Sequence, residues 1–438
     1  MRLTGRKASV AAIVTVVVAI VAGASTRDAR AVLPTGNAVQ QWDKIAEDTV
    51  VGSGAFQNEG LIYMAYVSNA MDAAARGDGG QGQSKDAAVT EAAYQTLVHY
   101  FPAQAAGLDA LHTEALALIP AGVAREHGVQ AGARAAAKVI ARREGDGLVT
   151  PIGSTSSFPT LPEGPGVWRL TPPLYLAPQT PWVARVRPFI LRSGDQFLPP
   201  PPPSLASPEW VAAFDEIKAH GSNANADATE TGVARFWTAN VIRQYNRLAR
   251  DVATSRLLDL RDTARLVDMV NTVGADAQIS VMYAKYHYLF WRPVSAIDPT
   301  SVQATGDGFG KVPGYDDGNA ATTEQANWRP LIATPNHPEY PAAHGSITSA
   351  MAQVFSQFLG TDAINVDIHG FDPAGATGNL DAVRHFGTAA GLRAEIVNAR
   401  VWAGVHYRFS GVAGVTLGQQ VAQYDLSHAF GDSEGDDD

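Results

Sequence analysis

The chain of 438 residues contains no cysteine, and only 17% of its residues are charged. The absence of cysteine excludes disulfide partners, thiol nucleophiles and zinc-thiolate sites. Its 33 Lys and Arg residues are outnumbered by 43 Asp and Glu residues, which gives a net charge of -10. Without a basic excess to neutralise phosphates, no nucleic acid partner is expected. The hydrophobic fraction of 46% is ample for a large buried core.

Long apolar runs are also scarce, and the one that stands out is at the N-terminus. Residues 1–7 are basic, residues 8–24 are uncharged and apolar, and Ala29-Arg30-Ala31 forms an A-x-A site. This pattern predicts a secretory signal peptide that is cleaved after Ala31, and therefore a secreted, extracellular protein. An uncleaved membrane anchor is the alternative, although the run is short for a membrane span.

The remaining chain shows helical spacing of apolar residues and no convincing alternating strands, so we predict an all-α fold. A Pro- and Gly-rich stretch, with five consecutive prolines at 199–203, interrupts the helices and is expected to form a rigid strap across their surface. The predicted organisation is therefore a signal peptide, an N-terminal helical scaffold, the strap, a second helical region and an acidic disordered tail, at 1–31, 32–147, 148–208, 209–430 and 431–438.

Three short basic clusters stand out in the second helical region. The first contains Lys285 and Arg292, seven residues apart in a predicted helix over 262–291 that Pro293 ends. Seven positions at about 100° each come within about 20° of two full turns. Both cations are therefore expected on one face of that helix.

The second cluster, residues 338–345, contains Pro341-Ala342-Ala343-His344 and is a loop that delivers a histidine before a predicted helix over 346–359. The third, residues 399–410, pairs Arg400 with His406 and begins at the end of a predicted helix over 381–402. Cations and a helix N-terminus that converge on one point form a pocket for an oxyanion. One histidine can bond to the central atom of that anion while the other moves protons.

The order K-x6-R-P, P-x-x-H and R-x5-H resembles the vanadium-dependent haloperoxidases and the type 2 phosphatidic acid phosphatase superfamily to which they belong. Stretches such as Phe290-Trp-Arg-Pro and His337-Pro-Glu-Tyr-Pro are similar to the bacterial haloperoxidase-like branch, and the resemblance extends over about residues 38–430. It implies helical bundles of the vanadium haloperoxidase and acid phosphatase type.

The resemblance also implies roles for particular residues. His406 matches the histidine that binds the metal of vanadate, and His344 matches the acid-base histidine. His337 lies where brominating members have a histidine and chlorinating members a phenylalanine, so it is a candidate halide-site residue that favours bromide. The groups that would hold the oxygens of vanadate or phosphate are Lys285, Arg292, Ala343 and Arg400.

The implied function is a secreted vanadate-dependent haloperoxidase that uses hydrogen peroxide, a halide and a small organic acceptor, with a homodimer as one option for its assembly. One alternative is a phosphate monoester phosphatase that forms a phosphohistidine at His406. Another is a degenerate protein that binds an oxyanion without catalysis.

Four positions depart from the family pattern. Ala342 and Ala399 replace serines, and the lost hydroxyl at Ala342 removes an anion contact that is worth about 1.5–3 kcal/mol. Ala343 replaces a glycine and is expected to hold the loop farther from the anion, because alanine avoids left-handed conformations. Ser410 replaces an aspartate beside His406, and that loss bears hardest on phosphotransfer.

Overall fold

The computed structural model describes residues 32–77, 82–155, 158, 160–300, 303–304, 311–312, 316–370 and 382–431. The predicted signal peptide and residues 432–438 of the predicted acidic tail lie outside the described residues. Within the described ranges, no helix is both long enough and apolar enough to cross a membrane.

Helices dominate the described part of the chain, which confirms the predicted all-α class. The N-terminal helices are α1 Ala38–Gly52, α2 Gln57–Arg76, α3 Lys85–Tyr100, α4 Ala105–Ala117 and α5 Val123–Arg143. After the strap follow α6 Pro208–His220, α7 Ala228–Phe236, α8 Val241–Ser255, α9 Leu260–Tyr288, α10 Pro293–Ile297, α11 Ala343–Leu359, α12 Ala389–Trp402 and α13 Arg408–Ala429.

The sequence predicts no strands, and the structure corrects this with two small antiparallel pairs. They are β1 Gln303–Ala304 with β2 Lys311–Val312, and β3 Val366–His369 with β4 Val383–Phe386. Strand β4 occupies the start of the helix predicted over 381–402. Helix α12 begins only at Ala389, because the Thr388 side chain accepts the Gly391 N–H and caps the helix there.

Helix α9 is the centre of the molecule. It has 29 residues, and apolar residues such as Val267, Val273 and Ile279 are buried around its circumference. It packs against α2, α8, α11 and α13, so it joins the N-terminal helices to the C-terminal ones. A helix buried on nearly all sides has no polar face, which explains its even spread of apolar residues.

The end of α9 differs from the prediction. Leu289 has left-handed backbone angles, φ 50 and ψ 42, and its N–H bonds to the Lys285 carbonyl, so the helix ends at Tyr288. Arg292 then becomes the N-cap of α10, with Pro293 at its first helical position. Lys285 and Arg292 therefore do not share a helix face, and the prediction of one continuous helix is wrong.

Helices α11 and α13 approach each other backbone to backbone at two glycines of α13. A Cβ on Gly414 would lie 2.3 Å from the Ala342 carbonyl oxygen, and one on Gly418 would lie 1.9 Å from the Ser346 carbonyl oxygen. Only glycine fits at such a close contact. The first turn of α11 is thereby held tightly against α13.

The strap is tied to the central helix. The carboxylate of Asp276, on α9, accepts the backbone N–H groups of Phe189, Ile190 and Leu191 at 2.7, 2.8 and 3.0 Å. Farther along the strap, the Tyr340 hydroxyl donates to the Pro200 carbonyl at 2.7 Å. The Pro-rich segment is therefore bound to the helices at several points along its length.

Candidate active site

The three sequence clusters meet around the guanidinium of Arg292, which is fully buried. Its Nε donates to the His337 carbonyl at 3.0 Å and its Nη2 donates to the His337 Nδ1 at 3.1 Å. Its Nη1 donates to the Val405 carbonyl at 2.8 Å and lies 3.3 Å from the His406 Nε2. One side chain from the first cluster thus contacts the segments that carry the second and third.

The other two predicted cations are also buried beside it. The Nζ of Lys285 donates to the carbonyls of Pro338 and Glu339 at 2.9 and 2.8 Å, which leaves one of its three N–H groups free of those bonds. The Nη1 of Arg400 donates to the Trp237 carbonyl at 3.2 Å, while its buried Nε has no partner among the described residues.

A carboxylate that the sequence does not single out orients His406. The Oε1 of Glu339 lies 2.8 Å from the His406 Nδ1 and also accepts the Tyr407 N–H at 3.1 Å. Because guanidinium Arg292 can only donate to Nε2, the ring proton belongs on Nδ1 and is given to Glu339. The lone pair of Nε2 then accepts the Arg292 Nη1–H, and a central atom in the site would take the place of that 3.3 Å contact.

Ser410 does not take the place of the aspartate that the family pattern has there. Its Oγ lies in the first turn of α13, 3.5 Å from the Glu339 backbone oxygen. Glu339 itself supplies the carboxylate, from the second cluster instead of the third. In the sequence, Glu339 stands out as an acidic residue inside an apolar, proline-bounded segment. Such a carboxylate requires a partner if it is buried, and this was the signal that could have identified it.

The site carries more positive than negative charge. Burial lowers the pKa of Arg292 to about 10 and that of Arg400 to about 9, values at which both stay charged at neutral pH. Burial raises the pKa of Glu339 to about 7, against the opposing effect of Lys285 and Arg292. Burial and the neighbouring Arg292 hold the pKa of Lys285 well below its usual range, so the positive charge rests chiefly on the two arginines. Their charge exceeds that of one half-ionised carboxyl, and an anion would balance the difference.

The histidines of the site are neutral. Burial, reinforced by the neighbouring cations, holds the pKa values of His337, His344 and His406 well below their usual range. The Nδ1 of His337 also lies 3.1 Å from the Pro338 carbonyl, a contact that would suit a protonated nitrogen. We assign it as the acceptor from Arg292, since the guanidinium is the one fixed donor.

A small cavity of about 40 Å³ lies at this meeting point. A cavity of this volume holds about three water-sized groups, which is close to the size of a tetrahedral oxyanion. Asn58 of α2 and Gln179 of the strap also form part of its wall. The residues of its inner wall include Gln278, His337, Ala343, His344, Ile347 and His406.

The N-terminus of α11 faces this cavity. Ala342 is the N-cap and Ala343 the first helical residue, so the helix starts three residues before the predicted position and His344 lies in its first turn. The first N–H groups of a helix lack partners within it and bind anions. Ala343 is right-handed, so the expected penalty for replacing a glycine that needs a left-handed conformation does not apply.

Comparisons with known proteins agree with this geometry. A family model described as the VCPO second helical-bundle domain matches residues 265–431, which include all three basic clusters. The vanadium chloroperoxidase of Curvularia inaequalis is 25% identical over 276 residues. That match covers 50% of this chain and 44% of the curated relative, so less than half of the relative is represented.

Solved structures extend the likeness along the chain. A bacterial vanadium-dependent iodoperoxidase matches with a TM-score of 0.69 at 19% identity, over 90% of this chain and 98% of the other. The chain is similar to the vanadium haloperoxidases, in sequence over its second half and in fold over most of its length. The holo form of a bacterial vanadium-dependent chloroperoxidase also shares this haloperoxidase fold, with a TM-score of 0.60 at 17% identity over 88% and 93% of the two chains.

The residues of this haloperoxidase relative fit vanadate. Buried arginines exceed carboxylates, the Nε2 of His344 is buried without a partner among the described residues, and the Nε2 of His406 is a neutral acceptor that Arg292 contacts. In the described ranges, no group of three or more His, Asp or Glu side chains could hold a metal cation. Such a donor set suits an oxyanion that is held by hydrogen bonds and one nitrogen atom.

Proposed function

We propose that this chain is a vanadate-dependent haloperoxidase that oxidises a halide with hydrogen peroxide. The observation that carries the proposal is the orientation of His406. Glu339 holds its Nδ1, and His406 lines a cavity beside Arg292 and the N-terminus of α11. The Nε2 of this neutral imidazole could bond to a metal centre in place of the hydrogen bond that it accepts from Arg292.

The buried cations would hold the oxygens of the anion. Arg292 contacts two residues that line the cavity, His337 and His406, and together with Lys285 and Arg400 it would supply a positive field around the anion. The N–H of Ala343 adds a donor from the helix terminus. Vanadate, when bound by these groups and by the Nε2 of His406, would supply the activation of peroxide toward a halide.

His344 is suited to proton transfer. Its Nε2 is buried, has no partner among the described residues and belongs to a side chain that lines the cavity. Because its pKa is held low by burial and by Arg400, the ring is neutral at neutral pH, and in the tautomer with its proton on Nδ1 the Nε2 is an acceptor. It would accept the proton that hydrogen peroxide loses in the site and return it to a departing oxygen.

For the halide we propose bromide, on the strength of His337. This residue lines the cavity and accepts a hydrogen bond from Arg292, so its substitution changes both the wall of the cavity and the hydrogen bonding of Arg292. We expect His337→Phe to raise chloride oxidation relative to bromide oxidation in parallel rate assays. The cavity is too small for an organic acceptor, which would react outside it.

The deciding experiment is a bromination assay with a phenolic acceptor, bromide and hydrogen peroxide, with and without added vanadate. We expect activity only with vanadate and a loss of at least about a hundredfold in His406→Ala. His287→Ala is the matched control, because His287 is exposed near the end of α9, and it should keep full activity. Bromination that persists without vanadate and in His406→Ala would refute the proposal.

A second candidate is hydrolysis of phosphate monoesters, which the Glu339–His406 pair specifically favours. A carboxylate on Nδ1 raises the nucleophilicity of Nε2, the property that Ser410 could not supply. His406 would form an N–P bond as the ester P–O bond breaks, and His344, after taking the proton of the monoanionic ester, would give it to the leaving alcohol. Water would then release phosphate from His406.

Vanadate separates these two functions, since it should activate the peroxidase and inhibit the phosphatase. If neither substrate turns over and phosphate still binds, the chain is the non-catalytic oxyanion-binding protein. We also propose that the protein is exported and cleaved after Ala31. Mass spectrometry of the secreted chain should then find Val32 as its first residue, and retention of residues 1–31 would contradict this.

A further inference from the structure

A glutamine that none of the sequence clusters contains also lines the cavity. Gln278 is 2% exposed, and its side-chain Nε2 is buried with no hydrogen-bond partner among the described residues. Leaving a buried amide N–H group unpaired is costly, because the group has lost its hydrogen bonds to water. An acceptor in the cavity would remove that cost.

The position of Gln278 on α9 directs it toward the site. It precedes Lys285 by seven residues, and this spacing places the two on the same face of the helix. Side chains in a helix lean toward its N-terminus, so Lys285 extends back along that face in the direction of Gln278.

A second contact places this part of α9 against the start of α11. The Ser346 Oγ lies 3.5 Å from the carbonyl oxygen of Ala277, the residue next to Gln278. Ser346 belongs to the first turns of α11, which begins directly after Ala342. Gln278 is therefore beside the helix terminus where the family pattern has a serine and this chain has Ala342.

We propose that the Gln278 amide donates a hydrogen bond to an oxygen of the bound anion and takes the place of the hydroxyl that Ala342 lacks. The proposal deepens the haloperoxidase function above and rests on it for the identity of the anion. Gln278, a residue of α9, would thereby compensate for the serine hydroxyl that is missing from the second cluster. The three cations, the terminus of α11 and Gln278 would then surround the anion.

The test measures anion binding and does not depend on turnover. Gln278→Met keeps a long, unbranched side chain of similar size and removes the donor. Calorimetric titration with vanadate, and separately with inorganic phosphate, should show a Kd raised about tenfold or more, the effect of one hydrogen bond to a charged group. The same variant should also alter the vanadium-51 resonance of the bound vanadate.

Gln244→Met is the matched control. Gln244 is also a buried glutamine whose side-chain amide has no partner among the described residues, but it is not among the residues that line the cavity. Its Kd for either anion should stay within about twofold of the native value, so a general effect of losing a buried amide is separated from loss of an anion contact.

Rescue distinguishes a binding role from a structural one. Adding Ala342→Ser to Gln278→Met restores a donor at the terminus of α11, and the Kd should return toward the native value. A structural defect on α9 would not respond to a hydroxyl on another helix. If Gln278→Met does not fold, Gln278→Glu decides, because its isosteric carboxyl repels the anion and should weaken binding even further.

The outcomes separate the two proposals. Equal affinity of native and Gln278→Met protein for both anions would overturn the role of Gln278 and leave the haloperoxidase function standing. Native protein that binds phosphate but not vanadate would overturn the haloperoxidase function, and the phosphate titrations would still decide Gln278. Native protein that binds neither anion would overturn both.

Discussion

At the scale of single residues, the contact between Glu339 and His406 decides how the site works. It sets the tautomer of the imidazole through one oxygen atom, which also accepts the Tyr407 N–H. The second oxygen, Oε2, is buried without a partner among the described residues. A carboxyl that is held this way titrates near neutral pH, because burial raises its pKa to about 7.

This titration predicts a pH dependence of anion binding. Below about pH 7 Glu339 is neutral, and above it the carboxylate repels an anion in the same cavity. The affinity for sulfate, which keeps its charge over this range, should therefore fall as the pH rises from about 6 to about 8. Calorimetry at several pH values would measure the decline.

Glu339→Gln is the matched variant, because its amide oxygen can still accept the His406 Nδ1–H and its charge does not change with pH. If the titration of Glu339 causes the fall in sulfate affinity, the affinity of the Glu339→Gln variant should change less with pH than that of the native protein. A decline of the same size in native protein and variant would show that another group causes it.

We expect substitution of Arg400 to weaken anion binding without lowering the stability of the ligand-free protein. It is buried beside two other cations; its Nη1 donates to the Trp237 carbonyl, and its Nε has no partner among the described residues. Removing it in Arg400→Met relieves repulsion, so the Tm without ligand should stay equal or rise. The increase in Tm that phosphate produces in the native protein should shrink strongly, as thermal melts with and without phosphate would show.

Arg408→Met is the control for this comparison, since Arg408 pairs with Glu216 at the surface. It should respond to phosphate as the native protein does. An Arg400→Met variant with an unchanged phosphate response would contradict a role for Arg400 in anion binding.

At the scale of helices and strands, the sequence predicts the helices better than their ends. The cations and histidines of the site were identifiable, because their types and order carry the chemistry. The left-handed turn at Leu289 was not, because its cause is the tertiary packing of α9 and α10 and not a glycine in the chain. Glu339 and Gln278 were missed for a related reason, since their roles depend on contacts between distant segments.

The contact of α13 with the start of α11 predicts a strong effect of a single methyl group. Gly414→Ala would place a Cβ 2.3 Å from the Ala342 carbonyl oxygen and push the helices apart. We expect a loss of about 1–3 kcal/mol in the free energy of unfolding. Anion affinity should fall as well, because the helix terminus at the cavity moves; denaturant titration and calorimetry would measure the two effects.

Gly107→Ala, in α4, is the control for this substitution. No heavy atom lies within 4 Å of its added Cβ, and alanine favours a helix over glycine by about 0.5–1 kcal/mol. This variant should be as stable as the native protein or more stable. Tolerance of Gly414→Ala without loss of stability would contradict the close packing of the two helices.

At the scale of the whole molecule, the strap completes the half of the fold that carries the candidate site. The Gln179 N–H donates to the Asn336 carbonyl at 2.8 Å, next to His337, and Gln179 also lines the cavity. The strap is in turn held on α9 by Asp276. Composition predicts an irregular, proline-rich surface segment, but not that it would form a wall of the site, since that depends on where the chain crosses α9.

Asp276→Ala should therefore loosen the strap. It removes the acceptor of three backbone N–H groups, and we expect a loss of about 2–4 kcal/mol in the free energy of unfolding. Amide hydrogen exchange at Phe189, Ile190 and Leu191 should become faster. Asp195→Ala is the control, because the Asp195 side chain accepts no such set of backbone N–H groups in the described part of the chain. Equal exchange rates in native and Asp276→Ala protein would contradict the tie.

The surplus of positive charge around the cavity has a practical consequence for anyone who prepares this protein. A purification in phosphate buffer would fill the site with the buffer ion, and the first minutes of an assay would then report how fast that ion leaves. Extraction and storage in a medium free of tetrahedral oxyanions, followed by measured addition of vanadate, would reveal the true capacity of the preparation.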